Sequence, residues 1–206
     1  MTGIDSLYRV EDGRVLIEMK LSSVTQLFNS FDPAPFHEKE LDNNAENYIV
    51  DIVNDFPPKT LFKIVIYLPD IIIDTKEALD IPKAIRGHFD YKSLVQKRKF
   101  RQRFIYGEFA LIVGLSFLAI ATIASMAIDA YSSSYPVAHF IAKALEVTGW
   151  VAMWEPVTVF LFQLWPIIKQ RKVYEKISRM EIDIQPNRKI SPLVPGLLIE
   201  SPHSKS

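Results

Sequence analysis

The chain has 206 residues, 24 basic and 24 acidic side chains, and no cysteine. Disulfides, thiolate nucleophiles and cysteine-based metal sites are thereby excluded, and a net charge of zero argues against nucleic acid as a partner. Apolar types make up 49% and charged types 23%, averages that look like a soluble domain only because charge is concentrated early and apolar residues late.

The opening Met1-Thr2-Gly3-Ile4-Asp5 has no apolar core, so no cleaved signal peptide is expected and insertion would use internal segments. Arg14 to Leu21 alternates partly and is β-branched, which predicts a strand. Gln26 to Phe36 carries Pro33 and Pro35 with Asn29 and Asp32, a rigid loop. Leu27, Phe28, Phe31 and Phe36 either cap a core or rest on a membrane surface. Glu38 to Asn54 reads as a helix, with Leu41, Ala45, Tyr48, Ile49 and Ile52 at helical spacing. Its acidic first turns, Glu38, Glu40 and Asp42, suit the positive end of the helix dipole. Pro57 and Pro58 end it. Leu61 to Leu68 is a second strand, stopped by Pro69.

Two strands joined by a crossover helix pair in parallel with right-handed sense. Two strands make a very small sheet, so a partner chain or Glu181 to Ile184 would have to extend it. Asp74 to Arg86 predicts a short helix, and Phe89 to Tyr106 a helix feeding the apolar region beyond. Glu38 and Asp42, four apart beside His37, have the minimum geometry for a metal, but a solvated, well-capped helix face is the favoured reading of them. His88 reads as isolated and structural. Phosphate loops, His-Glu-x-x-His and Gly-x-Ser-x-Gly motifs are absent, so no catalytic residue and no cofactor are assigned.

Phe109 to Ile128 is free of charge. At 1.5 Å per residue such a segment covers about 30 Å, the hydrocarbon thickness of a bilayer. Lys97, Arg98, Lys99, Arg101 and Arg103 precede it, and Glu108 is placed to pair with Arg103, Arg101 or a tail lysine. Asp129 to Pro136, with Ser132, Ser133, Ser134 and Pro136, is read as a short turn. Ala138 to Val147 is either an interfacial helix or an extension of the second span, with Lys143 and Glu146 placed to pair. Val147 to Ile168 is the second apolar stretch, and Glu155 is its single ionisable residue. Lys169, Arg171 and Lys172 follow it. Basic flanks at one end of both segments place that end in the cytoplasm. Arg98, Arg101, Arg103, Lys169, Arg171 and Lys172 are thus membrane-interface residues.

Glu155 has three readings: an interfacial structural residue, an ion or proton site, or half of a buried pair. Mid-span, a carboxylate costs about 2.5–3.5 kcal/mol on insertion scales. Pro156 lacks an amide and shapes the helix around it. Trp150 and Trp165 read as interface anchors, and Trp154 as a packing residue. Helix continues to about Met180, and residues beyond Pro195 carry no folding signal.

Gln26-Leu-Phe-Asn-Ser-Phe-Asp-Pro-Ala-Pro-Phe36, Asp42-x-x-Ala45-Glu46-x-Tyr48, and Gly149-Trp150 through Trp154-Glu155-Pro156 to Trp165-Pro166-Ile167 resemble an uncharacterised family of bacterial and archaeal two-span membrane proteins. That resemblance spans most of the chain and implies organisation without chemistry. Trp154-Glu155-Pro156-Val157-Thr158 is similar to the pore motif of the mitochondrial calcium uniporter family. The similarity implies a candidate ion-binding set of Glu155, Pro156 and Trp154, with Glu155 as a ring carboxylate. Where that family carries an aspartate one turn earlier, Val151 and Ala152 stand here.

The expected fold is α+β: a small cytoplasmic α/β domain (1–96), an antiparallel two-helix transmembrane hairpin (97–172, spans about 105–128 and 147–168) and a cytoplasmic tail (173–206). The expected place is the inner membrane with both termini cytoplasmic. The expected function is a membrane-anchored structural or assembly protein whose cytoplasmic domain binds a protein partner. The alternative is a subunit of a homo-oligomeric cation channel or proton-coupled transporter using Glu155. Expected partners are the lipid bilayer and either further copies or another membrane protein. An enzyme using Glu38, Asp42 or His37 ranks last.

Overall fold

The computed structural model describes residues 8–29, 39–132 and 135–187. Phe31, Phe36, His37, Glu38 and the tail beyond Pro195 lie outside them. The described residues fall into two units. One holds the chain up to Phe89 and from Lys176 onward, and the other is Asp90–Glu175.

The first unit is α+β. Its four-stranded sheet runs in the order β1 (Val10–Glu11), β2 (Arg14–Lys20), β3 (Leu61–Leu68), β4 (Glu181–Pro186). β1 and β2 are antiparallel, and their turn is Asp12-Gly13 with φ of 50° and 74°. Two successive positive φ angles define the turn whose twist matches a hairpin, and Asp-Gly is its preferred pair. β2–β3 and β3–β4 are parallel, with Ile17 opposite Ile64 and Ile64 opposite Ile182. The two predicted strands therefore pair as expected, and the segment at Glu181 extends the sheet from within the chain.

Helix α1 (Asn43–Asp55) links β2 to β3. It starts later than the sequence suggests. Asp42 is its N-cap, and the Asp42 carboxylate accepts from the Asn44 amide at 2.9 Å. Glu40 and Asp42 therefore precede the helix rather than fill its first turn. Asx capping outweighs helix propensity at this site, because Asp satisfies an orphan amide best from the cap. Leu41, in the lead-in segment, bridges Phe28, and both are buried with Leu27. Of the two readings for these aromatic and aliphatic residues, core is the observed one for Leu27 and Phe28.

Helix α2 (Lys76–Ser132) begins after Thr75, whose hydroxyl accepts from the Ala78 amide at 3.3 Å. The two helices expected over Asp74–Arg86 and Phe89–Tyr106 are one. No proline or turn separates them, and Ala78, Ile81, Ile85, His88 and Phe89 keep one buried stripe. Both parallel crossovers step the same way across the sheet, so right-handed connections place α1 and the first turns of α2 on one face. That face carries Val15, Ile17 and Met19 of β2 and Phe62, Ile64, Ile66 and Leu68 of β3, all buried. The opposite face has a small apolar patch of Leu16, Val65 and Tyr67 among charged groups.

The charges on that second face tie the strands together. Lys63 of β3 meets Glu181 at 3.4 Å and Asp183 at 3.2 Å, and Arg14 of β2 also pairs with Glu181. The Arg14 guanidinium, then Lys63, holds the Glu181 carboxyl below its ordinary range. The Gln185 amide, then Lys63, does the same for Asp183. A depressed carboxyl pKa contributes stability above its unfolded value, near 4, and loses it as pH falls through the folded value. Acidification is therefore expected to release β4 first. The protection factor of the Ile182–Ile184 amides, taken relative to their intrinsic exchange, should fall between pH 5 and pH 3 in the wild type. In Lys63→Met it should already be low at neutral pH. Equal protection in the two proteins would contradict this.

The second unit contains the rest of α2 together with α3 (Pro136–Ala152), α4 (Trp154–Thr158), a π-turn (Val159–Gln163) and most of α5 (Leu164–Ser178). Contacts along it run in opposite senses. Gly107 abuts Val159 and Phe160, Gly114 abuts Ala152 and Met153, and Gly149 abuts Leu118 and Ala121. His139 Nδ1 approaches Asp129 at 3.3 Å. The stretch from Gly107 to Asp129 thus lies antiparallel to the stretch from His139 to Phe160. Of the two readings for Ala138–Val147, continuation of the second long helix is the observed one. Residues 161–168 continue past this pairing, beside the basic run that precedes Phe104.

Candidate functional site

The seam of the paired helices is made of small residues. Ala121 and Ala142 are buried, as are Gly107, Gly114, Ser125 and Gly149. A Cβ at Gly149 would stand 3.0 Å from Leu118 Cδ1, and one at Gly114 would stand 3.2 Å from the Ala152 carbonyl oxygen. Backbones approach this closely only where no side chain intervenes.

Pro156 explains the irregularity beside Glu155. It has no amide to offer the carbonyl four residues back, which belongs to Ala152. That carbonyl oxygen sits against Gly114 instead. The helix breaks at Met153, whose amide bonds to the Trp150 carbonyl at 3.1 Å, and resumes at Trp154. The π-turn follows directly, so one helix carries a proline break and a widened turn within three turns of each other. Gln163 lies in the π-turn, and its side-chain oxygen is buried without a hydrogen-bond partner among the described residues.

Glu155 follows this break directly and reaches across to α2. Its carboxylate accepts from the Tyr106 hydroxyl at 3.1 Å and is otherwise exposed. Trp154 is also exposed, at 71%, while Pro156 is buried in the seam. Of the three candidate ion-site residues, Trp154 and Glu155 are thus exposed and Pro156 is buried. Glu155 lies level with the segment between Gly107 and Gly114, near the basic end of the charge-free stretch.

The basic residues Arg98, Arg101 and Arg103 on α2 and Lys169 and Lys172 on α5 are exposed. Arg171 is half-buried and bonds Glu175 at 2.7 Å. Gln96 reaches Gln170 at 3.4 Å, and Phe104 stacks edge-on to Phe160 at 5.8 Å. The two basic runs thus share one level. Glu108 is exposed and makes no ion pair among the described residues. Lys143 and Glu146 pair at 2.7 Å, as their spacing suggests.

Sequence reasoning missed one site. His88 is not isolated: its Nε2 lies 2.9 Å from a Glu46 carboxylate oxygen, and both side chains are buried. Its Nδ1 accepts from the Leu41 amide at 3.2 Å. An accepting Nδ1 carries no proton, so Nε2 holds the ring proton and donates it to Glu46. The imidazole is neutral and clamps the lead-in of α1 to α2. The available signal was Glu46 itself, an acid three residues before Ile49 on the buried face of an amphipathic helix.

Asp42 is committed to capping, and no group of three His, Asp or Glu among the described residues could hold a metal ion. Comparison with protein-family models, curated proteins and solved structures yields no match.

Proposed function

We propose that the chain is a two-span integral membrane protein acting as an anchored assembly scaffold, with its α+β domain binding a protein partner on the cytoplasmic side of the inner membrane. The observation that carries the reading is what the helix pair leaves outside. Ile112, Ile120, Ile123, Met126, Phe140 and Trp150 are between 64 and 73% exposed. Small residues fill the seam while large apolar ones face out, the reverse of a soluble pair and the arrangement that lipid favours. Two helices are long and apolar enough to cross a bilayer. Basic residues at one end of both stretches favour placing that end, with both termini, in the cytoplasm.

Isolation of the full chain in mild detergent, with cross-linking mass spectrometry, tests the scaffold. A second membrane component cross-linked to the α+β domain is expected. A preparation containing only closed rings of this chain would contradict the scaffold and favour a second reading, a homo-oligomeric cation channel. The exposed Glu155, beside the Tyr106 hydroxyl of α2, supports that alternative. In it, Glu155→Gln abolishes cation flux into liposomes; in the scaffold, the substitution leaves partner binding unchanged.

A further inference from the structure

We propose that the basic end of the helix pair is a binding surface for the phosphate headgroups of anionic phospholipids, selecting them over zwitterionic ones. The inference rests on the membrane reading above. Orientation needs only an excess of cations at one end. This collar has more than that, because its charge is left uncompensated.

Lys97, Arg98, Lys99, Arg101 and Arg103 are all exposed, and none makes an ion pair among the described residues. Successive helical residues are about 100° apart, so these five surround α2 rather than line one face. Lys169 and Lys172 bring two more unpaired cations from the antiparallel helix. The contacts of Gln96 with Gln170 and of Phe104 with Phe160 fix both runs at one level. At that level Arg171 is the cation already engaged, by Glu175. The far end of the pair is the opposite case. Its cation Lys143 is paired with Glu146, and His139 with Asp129.

Apolar groups complete the surface. Leu161, Phe162 and Trp165 are 63, 65 and 71% exposed beside the cations. They lie past the stretch that pairs with Gly107–Asp129, where a purely aqueous segment would carry polar residues. Cations next to exposed aromatic and aliphatic side chains match a lipid at its glycerol level, with phosphate on one side and acyl chain on the other. Guanidinium groups add bidentate phosphate hydrogen bonds. Neither RNA nor a soluble phosphate needs that apolar half.

The test uses the full chain reconstituted in phosphatidylcholine vesicles with brominated phosphatidylglycerol or brominated phosphatidylcholine, reading quenching of tryptophan. Each cation at an anionic surface contributes about fivefold. A preference for phosphatidylglycerol above about tenfold is expected, weakening with salt. In Arg98→Gln/Arg101→Gln/Arg103→Gln/Lys169→Gln it should drop by at least about fivefold, with insertion unchanged. Equal quenching by the two lipids in an inserted wild-type chain would overturn the inference and leave the membrane reading standing. Failure to insert would overturn both. Full competition by millimolar inorganic phosphate, or single-stranded RNA binding lost in the quadruple variant without lipid preference, would also overturn it.

Discussion

Gly149→Leu is expected to force the two long helices apart. Even a single methyl at Gly149 meets Leu118 Cδ1 at 3.0 Å, Ala121 Cβ at 3.1 Å and the Leu118 backbone at 3.4 Å. The last of these is Cα and cannot rotate away. Gly107→Leu meets Val159 Cγ1 at 2.9 Å and the Phe160 ring at 3.0 Å. Overpacking a tight contact by a methyl or two costs about 1–3 kcal/mol. A leucine exceeds that, and in lipid no hydrophobic gain between helices offsets it, because acyl chains solvate leucine as well as another helix does. The midpoint of unfolding by dodecyl sulfate in mixed micelles should drop sharply for both variants. Gly87→Ala is the control: a Cβ there meets nothing within 4 Å and its φ is not positive. It should leave the midpoint equal or slightly raised, since alanine favours helix by about 1 kcal/mol. An unchanged midpoint in Gly149→Leu would show that the seam does not hold the pair.

His88→Leu should be the most damaging single change in the α+β unit. The leucine fills the space but removes two hydrogen bonds. Glu46 keeps a buried carboxylate without its imidazole partner, and the Leu41 amide loses its acceptor. Losing a hydrogen bond to a charged group costs about 1.5–3 kcal/mol, and orphaning the Leu41 amide about 1–3 kcal/mol more. Glu46→Gln is milder, about 1 kcal/mol, because the amide oxygen still accepts from His88 Nε2 and no charge is left behind. Denaturant unfolding of the full chain in detergent, followed by hydrogen exchange at Leu41 and Ile49, distinguishes the two. Comparable losses in both variants would contradict the neutral-imidazole arrangement.

These two sites differ in how far the sequence announced them. The strands were plain, because Leu-Phe-Lys-Ile-Val-Ile-Tyr-Leu and Arg-Val-Leu-Ile-Glu-Met-Lys are short apolar runs bounded by turn residues. Glu181–Pro186 was legible through the brief alternation of Glu181 to Ile184 and the need of a two-stranded sheet for an extension. β1 is two residues long and went unseen, although Asp12-Gly13 signalled its turn. The helix pair was legible as two apolar segments, but not its register. Apolar runs do not say which residue opposes which, and that is set by where glycines allow close approach. Hence Glu155, counted from the start of its own apolar stretch, looked two turns from the outer edge. Against Gly107 and Gly114 it lies near the basic end. His88 and Glu46 are 42 positions apart, and no periodicity links residues on different elements.

The proposal that two apolar helices cross a bilayer as a pair, with both termini on the basic side, is tested most directly by topology. The chain has no cysteine, so single cysteines introduced at Asp12, Tyr135 and Asp183 report unambiguously. With the full chain in sealed cytoplasmic-membrane vesicles of known orientation, an impermeant maleimide should label positions 12 and 183 from the cytoplasmic face only, and position 135 from the opposite face only. Labelling of 12 and 183 from opposite faces, or recovery of the chain from the aqueous phase after carbonate washing, would contradict it.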